Sequence, residues 1–259
     1  MTGIASLLEI ANKAALEAGR MILEIYESGD FGVDMKSDNS PLTLADKAAH
    51  TTIVKYLEST DLPILSEEGK HIPFEQRKQW EYFWLVDPLD GTKEFIKKNG
   101  EFTVNIALIH AGNPVAGVIY APCLNTLYVG SKETGVHKIE KEKKVLLDPL
   151  SGNNSFKHLL EKKEVTVVAS RSHMTAETEA FIQQFENVQL TSMGSSLKLM
   201  LLAENKADIY PRLAPTMEWD TAAGHAILNA ANKSVYRTSL DSELNYNKPD
   251  LLNPSFIAF

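Results

Sequence analysis

The chain has 259 residues, 26 of them Lys or Arg and 34 Asp or Glu, for a formal charge of −8. Its 44% hydrophobic and 23% charged residues are those of a folded globular protein and exclude a disordered one. The acidic balance argues against a nucleic-acid coat protein, no apolar run approaches the roughly 18 residues that cross a bilayer, and the lone Cys123 excludes an intrachain disulfide or a multi-cysteine zinc site.

The first element expected is a helix over 4–28. Ile4, Leu7, Leu8, Ala11, Ala14, Ala15, Ala18, Ile22 and Ile25 recur at three- and four-residue spacing until Gly29-Asp30 and Gly32 break the pattern. Residues 34–43 read as a polar loop, and Thr43 as the N-cap of a second helix through Ala45, Ala48 and Leu57. Short apolar runs at 64–65, 82–86, 102–110, 115–120 and 126–129 read as strands. Tight turns are expected at Asn113-Pro114 and Asn125-Thr126, so these strands should pair antiparallel. The charged stretch 138–164, with Asp148-Pro149 and Ser151-Gly152, reads as the boundary between two halves, about 1–147 and 148–259. Beyond it the expectation alternates: strand 165–169, helix 175–186, strand 188–190, helix 195–204, strand 208–210, helix 220–231. Such alternation predicts an α/β half with a more parallel sheet. The N-terminus has neither the basic nor the apolar region of a signal peptide, and with one cysteine a reducing, cytoplasmic setting is expected.

The sharpest chemical signal is Trp84-Leu85-Val86-Asp87-Pro88-Leu89-Asp90-Gly91-Thr92-Lys93-Glu94-Phe95. An apolar strand runs into Asp87, Pro88 should end its ladder because it has no N–H, and Thr92 can start a helix. Two acids three apart, with the Leu89 carbonyl between them, can converge on one hard cation such as Mg²⁺. The helix start that follows can hold a phosphate on its free N–H groups. The same residues also read as an Asx-turn and a plain N-cap. Three further acidic sites lie at element ends: Glu67-Glu68 after a short apolar run, Asp220 in Glu218-Trp219-Asp220, and Asp46 after Pro41-Leu42-Thr43. Each has a bland reading, namely a solvated turn, a helix N-cap and a helix-surface acid. Composition and spacing alone stop at Mg²⁺-dependent phosphate chemistry.

Taken together and in order, the four segments resemble the inositol monophosphatase superfamily of lithium-sensitive, Mg²⁺-dependent phosphatases. The signatures are an acidic pair after a strand, W-x-x-D-P-[IL]-D-G-T, and a late W-D-x-A-A-G. One branch, the bacterial 3'(2'),5'-bisphosphate nucleotidases of the CysQ type, is more similar still. Lys36-Ser37-Asp38-Asn39-Ser40-Pro41-Leu42-Thr43-Leu44-Ala45-Asp46, Lys93-Glu94-Phe95, Asn99-Gly100-Glu101-Phe102-Thr103-Val104-Asn105, Ser170-Arg171-Ser172-His173 and Gly194-Ser195-Ser196-Leu197-Lys198 resemble its motifs. The likeness runs from the first helix to Asn253-Pro254.

The resemblance implies a mixed α/β (α+β) fold, a five-layer αβαβα sandwich forming one catalytic domain over 1–259. It implies hydrolysis of the 3'-phosphate of 3'-phosphoadenosine 5'-phosphate to AMP and phosphate, removing a by-product of sulfate assimilation. It also implies two or more Mg²⁺ ions, one held by Glu67, Asp87 and the Leu89 carbonyl and a second by Asp87, Asp90 and Asp220. Thr92, held by Asp46 and with Glu67 nearby, becomes the group that orients and deprotonates the attacking water. Substrate contacts fall to the metal-binding residues Glu67, Leu89, Asp90 and Asp220, to Gly91 and Thr92 at the helix start, and to Gly194, Ser195, Ser196 and Lys198 for the nucleotide. Arg171 and Arg212 are weaker candidates for the same contacts, each more readily read as a surface salt bridge. Lys93 is expected to support the site electrostatically. His225, Trp84 and Trp219 read as structural and Cys123 as a buried, inert thiol. The partner expected is a small molecule, not a nucleic-acid polymer, and attachment to the inner membrane is known only of some relatives. An inositol monophosphatase or a phosphatase for fructose 1,6-bisphosphate would be served by the same metals, but the Lys93-Glu94-Phe95 and Gly194-Ser195-Ser196-Leu197-Lys198 segments argue against either; a nucleotide-sensing protein without catalysis would be favoured by a missing metal acid, and none is missing.

Overall fold

The structure, a computed structural model, describes residues 3–35, 41–149, 154–169 and 175–259. The apolar face of the first expected helix buries Leu7, Leu8, Ala11, Ala14, Ala15, Ala18 and Ile22 in α1 (Ile4–Ser28), which Gly29 ends. Residues expected as a loop pair instead as β1 (Asp34–Met35) and β2 (Pro41–Leu42), since two extended stubs satisfy each other's backbone groups. Thr43 caps α2 (Leu44–Leu57), accepting from the Ala45 and Asp46 amides.

Seven strands then form one sheet, in chain order: β3 (Ile64–Ser66), β4 (Tyr82–Asp90), β5 (Thr103–His110), β6 (Asn113–Ala121), β7 (Thr126–Ser131), β8 (Gly135–Glu140) and β9 (Lys143–Leu147). Only β3 and β4 are parallel; they are joined through the short α3 (Phe74–Arg77). The five later pairs are antiparallel; the strands from β5 to β9 follow one another without an intervening α-helix, and β4 turns back into β5 through the five-residue helix Thr92–Ile96. The β5–β6 turn falls at Ala111-Gly112, both with positive φ, and not at Asn113-Pro114, which opens β6. Mirror-image turns of this kind match strand twist. The charged stretch expected as a boundary begins inside the sheet: 138–140 and 143–147 belong to β8 and β9. Lysines on an edge strand deter pairing with other chains, so here charge marks a sheet edge, and the sheet ends at Leu147.

Alternation sends the two faces of this sheet to different partners. Trp84, Val86, Ile106, Leu108 and Val118 pack with α1 and α2. Phe83, Leu85, Ala107, Ile109 and Ile119 pack with two later helices, α7 (Leu197–Ala203) and α8 (Glu218–Ala230). Gly117 lets α8 lie this close, because a Cβ there would sit 2.2 Å from the Ala223 carbonyl oxygen.

The rest of the second half comprises α5 (Phe156–Leu160), β10 (Val165–Val168), α6 (Ala176–Ile182), β11 (Val188–Thr191), β12 (Tyr210–Arg212), β13 (Val235–Arg237) and β14 (Phe256–Ala258). β10 and β11 are parallel, as expected, and a parallel bridge from Val167 to Ile209 extends the array toward β12. The expectation of a mainly parallel sheet is corrected by the order β12-β14-β13, antiparallel throughout. β13 and β14, three residues each, leave no periodic signal. One side of these strands, including Val168, Tyr210, Phe256 and Ala258, joins the core of α7 and α8. The other side, Val165, Val167, Ile209, Ile257 and Phe259, packs with Phe156, Phe181 and Phe185 around α5 and α6. The layers are therefore helices, sheet, helices, sheet, helices, an αβαβα sandwich.

Cys123 is exposed and not buried. It sits in the 3-10 turn Pro122–Leu124, where the proline takes the inward position. Among the described residues no helix is long and apolar enough to cross a membrane.

Candidate active site

The expectation that Pro88 ends the β4 ladder is corrected: the strand continues to Asp90. Asp87 pairs with Asn105 and Asp90 with Thr103, with a register irregularity between them. A proline is tolerated at such a bulge, which re-aims the side chains around it. Asp87 Oδ1 accepts from the Leu89 amide at 3.0 Å, so the Asx-turn reading is also true locally. Gly91, at φ +90°, turns the chain into α4 (Thr92–Ile96). A φ there suits glycine because it has no Cβ.

Asp90 leaves the sheet toward the second half. Its Oδ2 accepts from the Ser196 amide at 2.6 Å and the Asn105 amide nitrogen Nδ2 at 3.4 Å. Ser196 Oγ in turn donates to Asn105 Oδ1 at 2.7 Å. Gly194 N–H donates to Glu101 Oε2 at 2.8 Å, a second bond between the halves. Asp220 is the third residue of α8 and not its N-cap, which is Met217; Asp220 Oδ2 reaches back to the Met217 amide at 2.8 Å. Asp46 occupies the same position in α2. It is buried rather than a surface acid, and its Oδ2 accepts from Thr43 N–H at 2.8 Å and Thr43 Oγ1 at 2.5 Å. Its other oxygen lies 3.3 Å from Thr92 Oγ1, which is equally near the Leu89 carbonyl. The Glu67 amide bonds to Val86 O at 3.1 Å, fixing the residue after β3 beside β4. The Ser66 hydroxyl before it meets His50 Nδ1 at 2.9 Å.

One cleft is lined by Asp90, Gly91, Gly194, Ser195, Ser196, Lys198, Arg212 and Asp220, drawn from both halves. Glu94, Met193, Leu199, Tyr210, Thr216, Thr221 and Phe256 complete its walls. Asp46, Glu67, Asp87, Leu89 and Thr92 do not line it but adjoin it. Asp87 is buried and interacts electrostatically with Glu67, Asp90 and Asp220. Burial first, and then the repulsion of those three acids, raises its pKa well above the ordinary 3.8. Asp220 is raised well above the same value by burial, then by Asp90 and, more weakly, Glu67. Asp90 is raised by burial, against the pull of Lys198. Burial lowers Lys198 to about 8 despite nearby Asp90.

Buried carboxylates that repel one another are under-compensated. What they lack is cationic charge, and an all-oxygen donor set suits a hard divalent ion. The residues therefore fit Mg²⁺ chemically. Among the described residues, though, no three His, Cys, Asp or Glu side chains are grouped as tightly as a metal centre. Asp87, Asp90 and Asp220 each spend one oxygen on a backbone amide.

Ser195 holds φ +45°, and its buried Oγ has no hydrogen-bond partner among the described residues. Arg212 donates to the Ala214 and Pro215 carbonyls and, among the described residues, to no carboxylate, unlike the salt bridge offered as its bland reading. Lys93 is exposed, and its neighbour Glu94 is the one that lines the cleft. His225 is structural: fully buried, with Nδ1 on the Tyr246 hydroxyl and Nε2 near Ser234 and Glu243. Trp84 is buried, its indole donating to Thr60 Oγ1, and Trp219 packs at the edge of the core. Lys36 to Ser40 and Ser170 to His173, including Arg171, lie outside the described residues. Sequence reading missed Thr216, Tyr210 and Phe256, which carry no motif, and Thr221, the unassigned position of the late W-D-x-A-A-G. Glu94 and Asn105 lay inside motifs already noted but without a role.

The chain matches the inositol monophosphatase family over residues 4–258. It is 44% identical over 254 residues to the 3'(2'),5'-bisphosphate nucleotidase CysQ of Escherichia coli K12, covering 96% of this chain and 98% of that one. The crystal structure of CysQ from Bacteroides thetaiotaomicron superposes with a TM-score of 0.83 at 48% identity, covering 98% of this chain and 96% of the other. The inositol monophosphatase of Anabaena shares the fold, with a TM-score of 0.73 at 23% identity and 99% and 91% coverage.

Proposed function

The chain belongs to the inositol monophosphatase family, and from that premise we propose that it is a 3'(2'),5'-bisphosphate nucleotidase. It would remove the 3'-phosphate of 3'-phosphoadenosine 5'-phosphate, yielding AMP and phosphate. The supporting observation is a cleft with two kinds of charge. Asp90 and Asp220 stand in the same cleft as Lys198 and Arg212. The acids suit cations at the scissile phosphate, and the bases suit a second anionic group on the same substrate. A monophosphate such as inositol 1-phosphate offers those bases no second anionic group. In this reading residues 1–259 act as one catalytic domain whose halves, about 1–147 and 148–259, meet at the cleft.

Glu67, Asp87 and the Leu89 carbonyl would hold one Mg²⁺, and Asp87, Asp90 and Asp220 a second. When bound, such ions neutralise the phosphate and help activate the attacking water. The chain's own residues do the rest. Asp46 takes the Thr92 proton in a hydrogen bond, which frees the Thr92 oxygen to accept from and orient a water. Glu67, beside Asp87, is the neighbouring base. The Gly91 and Thr92 amides at the start of α4 receive phosphate oxygens. Ser195 Oγ, buried without a partner, is available to a nucleotide hydroxyl or phosphate oxygen, and Gly194, Ser196 and Lys198 flank it. A cytoplasmic location, where this nucleotide arises, fits the reading.

The test is phosphate release from 3'-phosphoadenosine 5'-phosphate and from inositol 1-phosphate, each with Mg²⁺ and with chelator. Mg²⁺-dependent release with preference for the nucleotide is expected. Preference for inositol 1-phosphate would overturn the substrate, and nucleotide binding without turnover would overturn the enzyme.

A further inference from the structure

Asp220 owes its place to a segment that reaches the site from the far end of the chain. Its Oδ2 is held by the Met217 amide, so the position of the Thr216-Met217 peptide decides where the carboxylate stands. That peptide is gripped by Asn253. The Asn253 amide N–H donates to Thr216 O at 2.9 Å. Its side-chain Nδ2 lies 2.8 Å from Met217 O, 3.0 Å from Thr221 Oγ1 and 3.4 Å from Thr216 Oγ1. Two protons thus serve three acceptors around the first turn of α8. Met217 also pairs with Leu252 across an antiparallel bridge, and the Glu218 amide donates to Leu251 O.

A second anchor keeps the segment itself in place. The buried Glu218 carboxylate accepts from the Asn247 amide at 2.6 Å, the Lys248 amide at 3.0 Å and Lys248 Nζ at 2.5 Å. Asn247 exchanges side-chain bonds with Arg77, each 2.7 Å long. Asn253 is nearly inaccessible to solvent and does not line the cleft. Its Oδ1 accepts from Lys248 Nζ at 3.4 Å, and among the described residues its bonds toward the cleft run to the turn carrying Asp220.

We propose that Asn253 is a positioning residue for Asp220, setting the cation affinity of the place that Asp220 serves. The inference rests on reading Asp220 as a metal ligand. With Oδ2 fixed by Met217, Oδ1 is the oxygen left to meet a cation. Shifting the Thr216-Met217 peptide would swing that oxygen away without touching Asp87 or Glu67. Outer-shell partners that orient a ligand typically govern about 10–100-fold in metal affinity.

The experiment titrates Mn²⁺ into the full-length protein without substrate, followed by electron paramagnetic resonance. It compares wild type with Asn253→Ala, Asn253→Asp and the control Asn247→Ala, and melting temperatures in chelator are recorded for all four. Asn253→Asp keeps the size but sets a carboxylate against Met217 O. Asn247→Ala loosens the same segment at Arg77 yet keeps the backbone amide that holds Glu218. Expected is one class of Mn²⁺ site weakened about 10-fold or more in both Asn253 variants, with the other class unchanged and Asn247→Ala binding like wild type even if it melts earlier. Wild-type Mn²⁺ binding in folded Asn253→Ala, or equal weakening in Asn247→Ala, would overturn the positioning role. A wild-type protein that binds no Mn²⁺ would instead overturn the reading of the carboxylates as ligands, and this proposal with it.

Discussion

Thr92 Oγ1 and Asp46 Oδ1 lie 3.3 Å apart, which ties the first turn of α4 to the third residue of α2. The carboxylate is held from its other side by Thr43, so it cannot follow Thr92 if that residue moves. A fixed acceptor of this kind makes the threonine oxygen itself an acceptor toward the site.

Thr92→Val keeps the shape and removes the hydroxyl. We expect kcat to fall by roughly 10²–10⁴, the range for a lost proton-handling group, with little change in KM. Adding Asp46→Asn should cost little more, because groups that act as a unit are not additive. Steady-state kinetics of the two single variants and the double variant check this. Losses that multiply would show that the two residues act separately.

Asp90→Asn should cut turnover by a hundredfold or more, as is typical when a main charge stabiliser is lost. An asparagine oxygen can still accept from the Ser196 amide, so the fold should survive. Activity within a factor of about two of wild type would contradict the role given to Asp90.

Cation and proton should compete for the same pocket. Asp87 and Asp220 have folded-state pKa values raised above 3.8. Their contribution to stability is therefore full below the unfolded value and is lost as pH rises through the folded one. A divalent ion binds the deprotonated form and releases protons, so it should restore what rising pH removes. The melting temperature in Mg²⁺ minus that in chelator should be larger at pH 8 than at pH 5.5. An equal difference at both pH values would count against a carboxylate metal pocket.

Phe95 is the one buried side chain of the five-residue α4. Its ring meets Phe31 at 4.8 Å, Tyr26 at 5.2 Å and Phe102 at 5.3 Å. Phe95→Ala should destabilise by about 3–5 kcal/mol in urea denaturation. Because Thr92 rides on this helix, activity per folded molecule should also fall. Unchanged specific activity would separate the anchor from the site.

The sequence was legible where one element has one periodic face. α1 shows its buried stripe in its spacing, and β4 its apolar run into Asp87. It was silent or misleading where tertiary pairing decides. The lysine-rich residues of β9 look like a linker because an edge strand is allowed to be polar. β13 and β14 are too short for any period. Pro88 looks like a stop, yet a bulge accommodates it. The carboxylates stood out because they end strands or open helices. Glu94, Asn105 and Asn253 did not, because the long-range partners of the two asparagines are 15 to 91 residues distant, and Glu94 is a wall of a cleft that only the assembled halves create.

The order β12-β14-β13 carries a consequence for how the protein is made. The middle strand of that sheet is translated after both of its neighbours, so β12 and β13 cannot close on each other and must wait with unpaired backbone. Phe256 is also a wall of the cleft, beside Tyr210. A chain still emerging from the ribosome thus holds its acidic residues without the pocket that concentrates them. Pairing at such long separation in sequence is slow, so the cleft is expected to be complete only after synthesis has passed residue 256 and the gap between β12 and β13 has been filled.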